Sequence, residues 1–254
     1  MHSAAIDPGK SIAYKHKQSP FPQLDGVLPM RWILAGPSGA GKGVTMQNMI
    51  LKHFRGCWEQ IYIFSPTAVL DKSTWFPVRK HLQEDLGINL EKEPAFFEEW
   101  DDGATLDRLV KKHSEVVRKQ KERGDKQIFG ALFCIDDWGD RADVMHKASG
   151  SVIGRLFLSG RHHGCSVQLG VQKATLVSTV CRVNATGLLC FKIRNQKEYE
   201  SIESEVTALV DKYTFREIWE EATSEPFSFL FIRLNAKSLN ETFMKRFEHH
   251  FTFE

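Results

Sequence analysis

Met30-Arg-Trp-Ile-Leu-Ala-Gly-Pro-Ser-Gly-Ala-Gly-Lys-Gly-Val-Thr45 is the stretch from which the fold can be read. An apolar run, Trp32 to Ala35, stops at Gly36; a helical pattern starts at Lys42, with Val44, Gln47, Ile50, Leu51 and Phe54 spaced to share one face. The order is strand, glycine loop, helix. Glycines at 36, 39 and 41 let backbone N–H groups turn inward around an anion, Lys42 adds a point charge for outer phosphates, and the helix start adds its positive dipole end. Gly36, Pro37, Ser38, Gly39, Ala40, Gly41, Lys42, Gly43, Val44 and Thr45 are therefore the expected phosphate cradle, in the pattern G-x-x-x-x-G-K. A glycine-rich turn without a ligand is the alternative, and chance matches to this motif rarely fall at a strand-to-helix junction.

The residue after the lysine, usually a Ser or Thr whose hydroxyl reaches Mg²⁺, is Gly43. Thr45 is the nearest hydroxyl and is taken as the expected metal contact. Nucleoside monophosphate kinases also carry Gly-Lys-Gly-Thr, so Gly43 opens a rival reading as such a phosphotransferase, and a second one as a nucleotide-binding scaffold with little turnover.

A chain of 254 residues, 42% hydrophobic, suits one large α/β domain better than two small ones. Its net charge of +2 announces no global affinity for nucleic acid, so any such surface is local. Cys57, Cys134, Cys165, Cys181 and Cys190 sit mostly in apolar runs without a C-x-x-C pair and read as reduced core residues of an intracellular protein. The pairs His162-His163 and His249-His250 lack metal-ligand spacing. No membrane segment or secretion signal is apparent, and a soluble protein is expected.

Residues 1–24 mix prolines with Lys and Ser and are expected to form an arm, packed on the surface or disordered, ahead of a single domain over 25–254. Gln60 to Thr67 reads as a second buried strand closed by Pro66, and about 68–104 as a partly irregular insert. Leu106, Leu109, Val110, His113, Val116 and Val117 mark an amphipathic helix. Its outer face carries Arg108, Lys111, Lys112, Arg118, Lys119, Lys121, Arg123 and Lys126, diluted by Glu115, Glu122 and Asp125: a solvated face, or a contact for a phosphate backbone. Ile128 to Asp137 is an apolar run ending abruptly in two carboxylates, as a central parallel strand does on reaching a phosphate site. A helix over Ile153 to Leu158, strands over Ser166 to Lys173 and Gly187 to Ile193, helices around Ile202 and Phe215, a last strand Phe227 to Leu234 and a closing helix Leu239 to Phe247 complete the series. Alternating strands and helices mean a mostly parallel, doubly wound sheet with helices on both faces and ligands at the carboxyl ends of its strands.

Phosphoanhydride hydrolysis needs phosphates neutralised, a metal held, a water aimed and developing charge stabilised. Lys42 and the loop amides suit the first task and Asp136 the Mg²⁺ shell; Asp137 could orient or deprotonate the water. Gln172 ends the strand expected beside that of Asp136, where it reads as a contact to water and γ-phosphate or as a polar strand cap.

The set Gly36-Pro-Ser-Gly-Ala-Gly-Lys42, Ile61-Tyr-Ile-Phe-Ser-Pro66, Ile135-Asp-Asp137, Gly160-Arg-His162 with Ser166-Val167, Gln172 and Arg182-Val-Asn184 resembles the poxvirus-type genome-packaging ATPases. That family serves large DNA viruses, virophages and related self-synthesising transposons and belongs to the FtsK–HerA group of ring motors, with a RecA-like P-loop NTPase fold. The resemblance covers roughly residues 28 to 195. It implies use of ATP and Mg²⁺ to pump double-stranded DNA into a capsid, a homo-oligomeric ring (pentamer or hexamer), and a place in the virion or a viral factory of the host cytoplasm, at a capsid vertex or membrane-associated packaging site. By matching positions it makes Lys42 the phosphate lysine, Asp136 and Asp137 the metal and base carboxylates, Gln172 the sensor, and Arg161 or Arg182 a finger for a neighbouring subunit's site. The Arg161 and Arg182 segments are expected along the sheet's nucleotide edge, and Arg155, Arg161 and Arg182 could equally be ion-pair partners within the chain. Gly43 departs from the family's usual Thr.

Overall fold

The computed structural model describes residues 14–71, 73–138 and 151–253. In chain order the elements are β1 (Arg31–Ala35), α1 (Lys42–Asn48), β2 (Gln60–Phe64), α2 (Phe76–Glu84), β3 (Phe96–Phe97), α3 (Ala104–Glu122), β4 (Ala131–Ile135), α4 (Val152–Ser159), β5 (Cys165–Val171), α5 (Thr179–Asn184), β6 (Gly187–Phe191), α6 (Gln196–Val206), α7 (Lys212–Ala222), β7 (Phe229–Arg233), β8 (Phe243–Lys245) and β9 (His249–His250). They build a nine-stranded sheet in the order β3-β2-β4-β5-β1-β6-β7-β8-β9.

Strands buried on both faces read as unbroken apolar runs, and β4 and β5 are buried at every residue. Pairing is parallel from β3 through β6 and antiparallel from β6 through β9. Neighbouring residues of β1 serve opposite faces, as the period of two demands. Trp32 packs on Phe54, Phe231 and Phe247, while Ile33 and Ala35 look toward Arg182 of α5 and Ile202 of α6. Helices therefore cover both faces.

Two details differ from the expectations. The helix over Leu239 to Phe247 is absent; a 3-10 turn, Leu239–Glu241, leads instead into β8, with Arg246 at a φ of +56° before β9. The four-residue spacing of Leu239, Phe243 and Phe247 imitates a helical face, yet Phe243 packs on Phe215 of α7 and Phe247 on Trp32, across the sheet from one another. The first helix runs on as a π-helical turn, Met49–His53, and buries Met46, Met49, Ile50 and Phe54, whereas Val44 is 51% exposed. The stretch 68–104 is regular in part: it contains α2 and the edge strand β3, and drives Trp75, Val78 and Leu82 into the core.

Of the expected N-terminal arm, residues 1–13 lie outside the described residues; the remainder runs along the body. Lys15 N–H donates to Lys126 O at 2.8 Å, Ser19 Oγ donates to His53 O at 2.6 Å, and Leu24 is fully buried. The basic helix α3 is laced with ion pairs, Lys111 with Asp107 at 2.6 Å, Arg118 with Glu115 at 2.6 Å and Arg123 with Asp125 at 2.9 Å. Charges paired this way leave little unopposed potential for a polyanion, and the solvated-face reading fits them better.

The inner face of α3 carries His113, buried among Leu106, Leu109 and Val117. Burial pushes its pKa down to about 4. Below its ordinary value of 6.5 the unfolded chain takes up a proton that the folded chain refuses, so stability is lost as pH falls from about 6.5 toward 4. The expected loss is up to about 3 kcal/mol. Melting curves of the wild type and His113→Leu across this window check it: the variant is expected to lose markedly less stability on acidification.

Candidate nucleotide site

The loop between β1 and α1 is fastened before it turns, with Gly36 N–H donating to Val171 O at 3.1 Å. A Cβ at position 36 would stand 2.6 Å from Phe191 Cβ, so only glycine lets the chain pass there. Gly41, at a φ of +102°, then turns the chain into the helix. The Lys42 ammonium is buried and donates to Gly36 O at 2.7 Å and Pro37 O at 3.0 Å. An ammonium has three donors, and the third remains for an oxyanion. Burial lowers the Lys42 pKa, and Asp136 and Asp137 oppose that shift.

Asp136 follows β4 and is 9% exposed, with Oδ1 lacking a hydrogen-bond partner among the described residues. It fits because position 170 is glycine: a Cβ there would meet Asp136 Oδ1 at 2.2 Å and Met46 Cε at 2.8 Å. Burial first, then the Asp137 and Asp71 carboxylates, raise the Asp136 pKa to about 6 against the pull of Lys42. Asp137 adopts a φ of +60°, which turns the chain so that one carboxylate is enclosed and the next is exposed. Because β5 lies between β1 and β4, the residue at its end, Gln172, comes between loop and carboxylates. Its Nε2 donates to Asp137 Oδ1 at 3.4 Å.

Lys42, Gly43, Thr45, Asp136 and Asp137 line a cleft of about 660 Å³, large enough for a nucleotide. Further lining residues went unread in the sequence, among them Asp71 and Thr74, from the stretch expected to be partly irregular, and Phe227 and Arg246, which flank β7 and β9. Phe227 is 70% exposed, at a φ of +60°, and its ring edge lies 3.3 Å from where a Gly41 Cβ would be. A bulky residue in the left-handed region marks a position held by function more than by local preference. The available signals were weak: a local Asp-x-x-Thr turn and a Pro-Phe pair.

A divalent cation suits this end of the cleft. The Lys42 ammonium and the Asp137 and Asp71 carboxylates all act on Asp136, and an enclosed carboxylate oxygen without a partner among the described residues is a costly arrangement that a cation relieves. Among the described residues no group of three or more His, Cys, Asp or Glu is placed to hold an ion unaided. Mg²⁺ is commonly held by one or two carboxylates plus substrate phosphates, so the donors match an ion that arrives with its nucleotide.

The two candidate finger arginines stand apart from this cluster. Arg182 Nη1 pairs with Glu205 at 3.0 Å between α5 and α6, and Arg155 pairs with Asp107. Arg161 is exposed on the 3-10 turn Gly160–His163, at the amino end of β5, whereas Gln172 follows the carboxyl end. The expectation that the Arg161 segment lies along the nucleotide edge is therefore corrected: it occupies the opposite edge, because the chain must cross the sheet between the two.

A parallel sheet with a glycine loop after a central strand, a lysine at the loop's end and a buried aspartate after a nearby strand define a P-loop NTPase. Solved structures share the architecture. The genome packaging NTPase B204 from Sulfolobus turreted icosahedral virus 2, in complex with AMP, aligns at 16% identity and a TM-score of 0.55, covering 85% of this chain and 96% of that one. EssC (ATPases 2 and 3) from Geobacillus thermodenitrificans aligns at 14% identity and a TM-score of 0.51, covering 88% of this chain and 43% of that one. No curated protein sequence matches. The family described as Poxvirus A32 protein matches residues 26–215. The chain belongs to that family, the poxvirus genome-packaging ATPases, and is a viral DNA-packaging ATPase.

Lys42→Ala is expected to abolish nucleotide binding while preserving the fold. A ligand at about a hundred times its Kd raises stability by about 2.7 kcal/mol, so the wild type should melt measurably later with ATP and Mg²⁺ and the variant should not. An undiminished rise in the variant would remove Lys42 from the site.

Proposed function

We propose that the protein hydrolyses ATP with Mg²⁺ as a ring-forming motor and spends that energy on moving double-stranded DNA into a capsid. The observation that carries the reading is the pairing of Asp137 with Gln172 beside the Lys42 loop, two groups that together can hold and aim one water. B204 has been seen with AMP, AMPPCP and ATP-gammaS, and the same class of ligand fits this cleft.

In this reading the loop amides and Lys42 take the β- and γ-phosphates. Asp137 accepts the proton of the attacking water, and the Gln172 amide orients that water toward the γ-phosphorus. Asp136 would hold Mg²⁺, which supplies charge neutralisation for the phosphates, and Thr45 is the hydroxyl nearest along the chain that could join it. Phe227 offers the exposed ring against which an adenine base can lie. Arg161, remote from its own loop, can act as a finger only in a neighbour's site, while Arg182 is engaged by Glu205. Transfer to a second nucleotide, as in a monophosphate kinase, is not favoured. Among the described residues no helix is long and apolar enough to cross a membrane.

ATP hydrolysis measured with and without duplex DNA tests the proposal. Duplex DNA should raise the rate without sequence preference, and the stimulation should fall steeply with salt, since phosphate contacts release counterions in proportion to their number. A finger contributes about 10³ to 10⁵ in rate. Mixing Arg161→Ala with Lys42→Ala subunits should therefore restore activity that neither shows alone. Full turnover by a dilute monomer indifferent to DNA would refute the motor. Independently, Phe227→Ala should weaken ATP binding by about tenfold, as loss of one base-stacking partner does, with its Mg²⁺ requirement unchanged.

A further inference from the structure

Position 43 lacks the hydroxyl that usually follows the loop lysine, yet the space beside it is not empty. A Cβ built on Gly43 would stand 3.2 Å from Thr74 Cγ2, 3.7 Å from Thr74 Oγ1 and 3.5 Å from Asp136 Oδ2. A threonine reaching in from the segment between β2 and α2 thus borders the volume where a loop Ser or Thr side chain would lie.

Thr74 is held there firmly. It is 6% exposed, its N–H donates to Asp71 Oδ1 at 3.0 Å, and the same oxygen accepts from Ser73 N–H at 3.1 Å and Ser73 Oγ at 2.6 Å. The next residue, Trp75, donates its N–H to Asp71 O at 3.1 Å and is 1% exposed, so the turn is anchored in the core. Asp136, nine-tenths buried, turns Oδ2 toward this space, 3.5 Å from the built Gly43 Cβ, while its Oδ1, without a partner among the described residues, faces Gly170.

We propose that Thr74 replaces the missing loop hydroxyl and, with Asp136, forms the protein's side of the divalent-cation site. This rests on the Mg²⁺-nucleotide reading of the cleft. Gly43 is then the complement of Thr74: a side chain at 43 would crowd the threonine methyl, and the hydroxyl has been relocated from loop to insert. Thr45, the nearest hydroxyl along the chain, is the competing donor.

Binding of a fluorescent, non-hydrolysable ATP analogue, titrated with Mg²⁺, tests this without turnover. Thr74→Val keeps the shape and removes the hydroxyl. It should leave metal-free analogue binding unchanged and raise the Mg²⁺ concentration at half-effect by about tenfold, the lower end of what losing a supporting group at a metal site costs. Thr74→Ser should behave as wild type, and Gly43→Ser in a Thr74→Ala background should regain most of the loss, because the methyl that crowds position 43 is gone. Equal loss in Thr74→Ser and Thr74→Val would overturn the proposal in favour of a packing role. An unaffected Thr74→Val beside an impaired Thr45→Val would overturn it in favour of Thr45. If the wild type binds the analogue with no dependence on Mg²⁺, the metal-nucleotide reading itself fails, an outcome distinct from the other two.

Discussion

Enclosing an ionised carboxylate costs several kcal/mol unless it is compensated, and Asp136 is enclosed at the meeting point of loop, sheet and insert. Two glycines make that possible. Gly170 leaves room on the β5 side and Gly43 on the α1 side, so the carboxylate lies in a slot flanked by two glycines, with Met46 and Thr74 bordering it. Lys42, the compensating charge nearest in kind, donates to two loop carbonyls. The resting site thus holds more negative charge than it neutralises. In the proposed reading, a nucleotide arriving with Mg²⁺ would bring both what the carboxylates lack and what the lysine lacks.

Much of this was legible because local chemistry and global fold agree there. Gly36, Gly41 and Lys42 are demanded by backbone geometry and charge, and Ile128 to Asp137 could only be an inner strand ending at a polar site. The placement of Gln172 beside Asp137 followed from Ser166 to Lys173 being a strand too. What escaped had no periodicity of its own. Asp71 and Thr74 lie in a turn fixed by side-chain hydrogen bonds and by Trp75 in the core, neither of which leaves a repeating pattern. The C-terminal hairpin escaped for the reverse reason, since its apolar spacing imitated a helix while its rings served opposite faces of the sheet. Arg161 was misplaced although the order of segments places it: a turn that precedes a parallel strand falls at its amino end, opposite the edge where ligands bind.

The cleft draws its walls from distant parts of the chain: the loop near residue 40, the turn at 71–74, the acid pair at 136–137 and the hairpin around 246. Phe247 packs on Trp32 of β1 as well as on Phe229 and Phe231. The C-terminal wall is therefore seated on the strand that launches the phosphate loop. A continuous layer of aromatic rings packed against Phe247 thus joins the hairpin to β1.

The sheet ends in strands of two residues on both sides, Phe96–Phe97 and His249–His250. Edges this short offer almost no ladder on which another chain could continue the sheet, a familiar defence against indiscriminate strand pairing. Copies in the proposed ring would meet through side chains on helices and loops. In such a ring these seams would slide and re-form without tearing backbone hydrogen bonds, a freedom that a sheet continued from copy to copy would forbid.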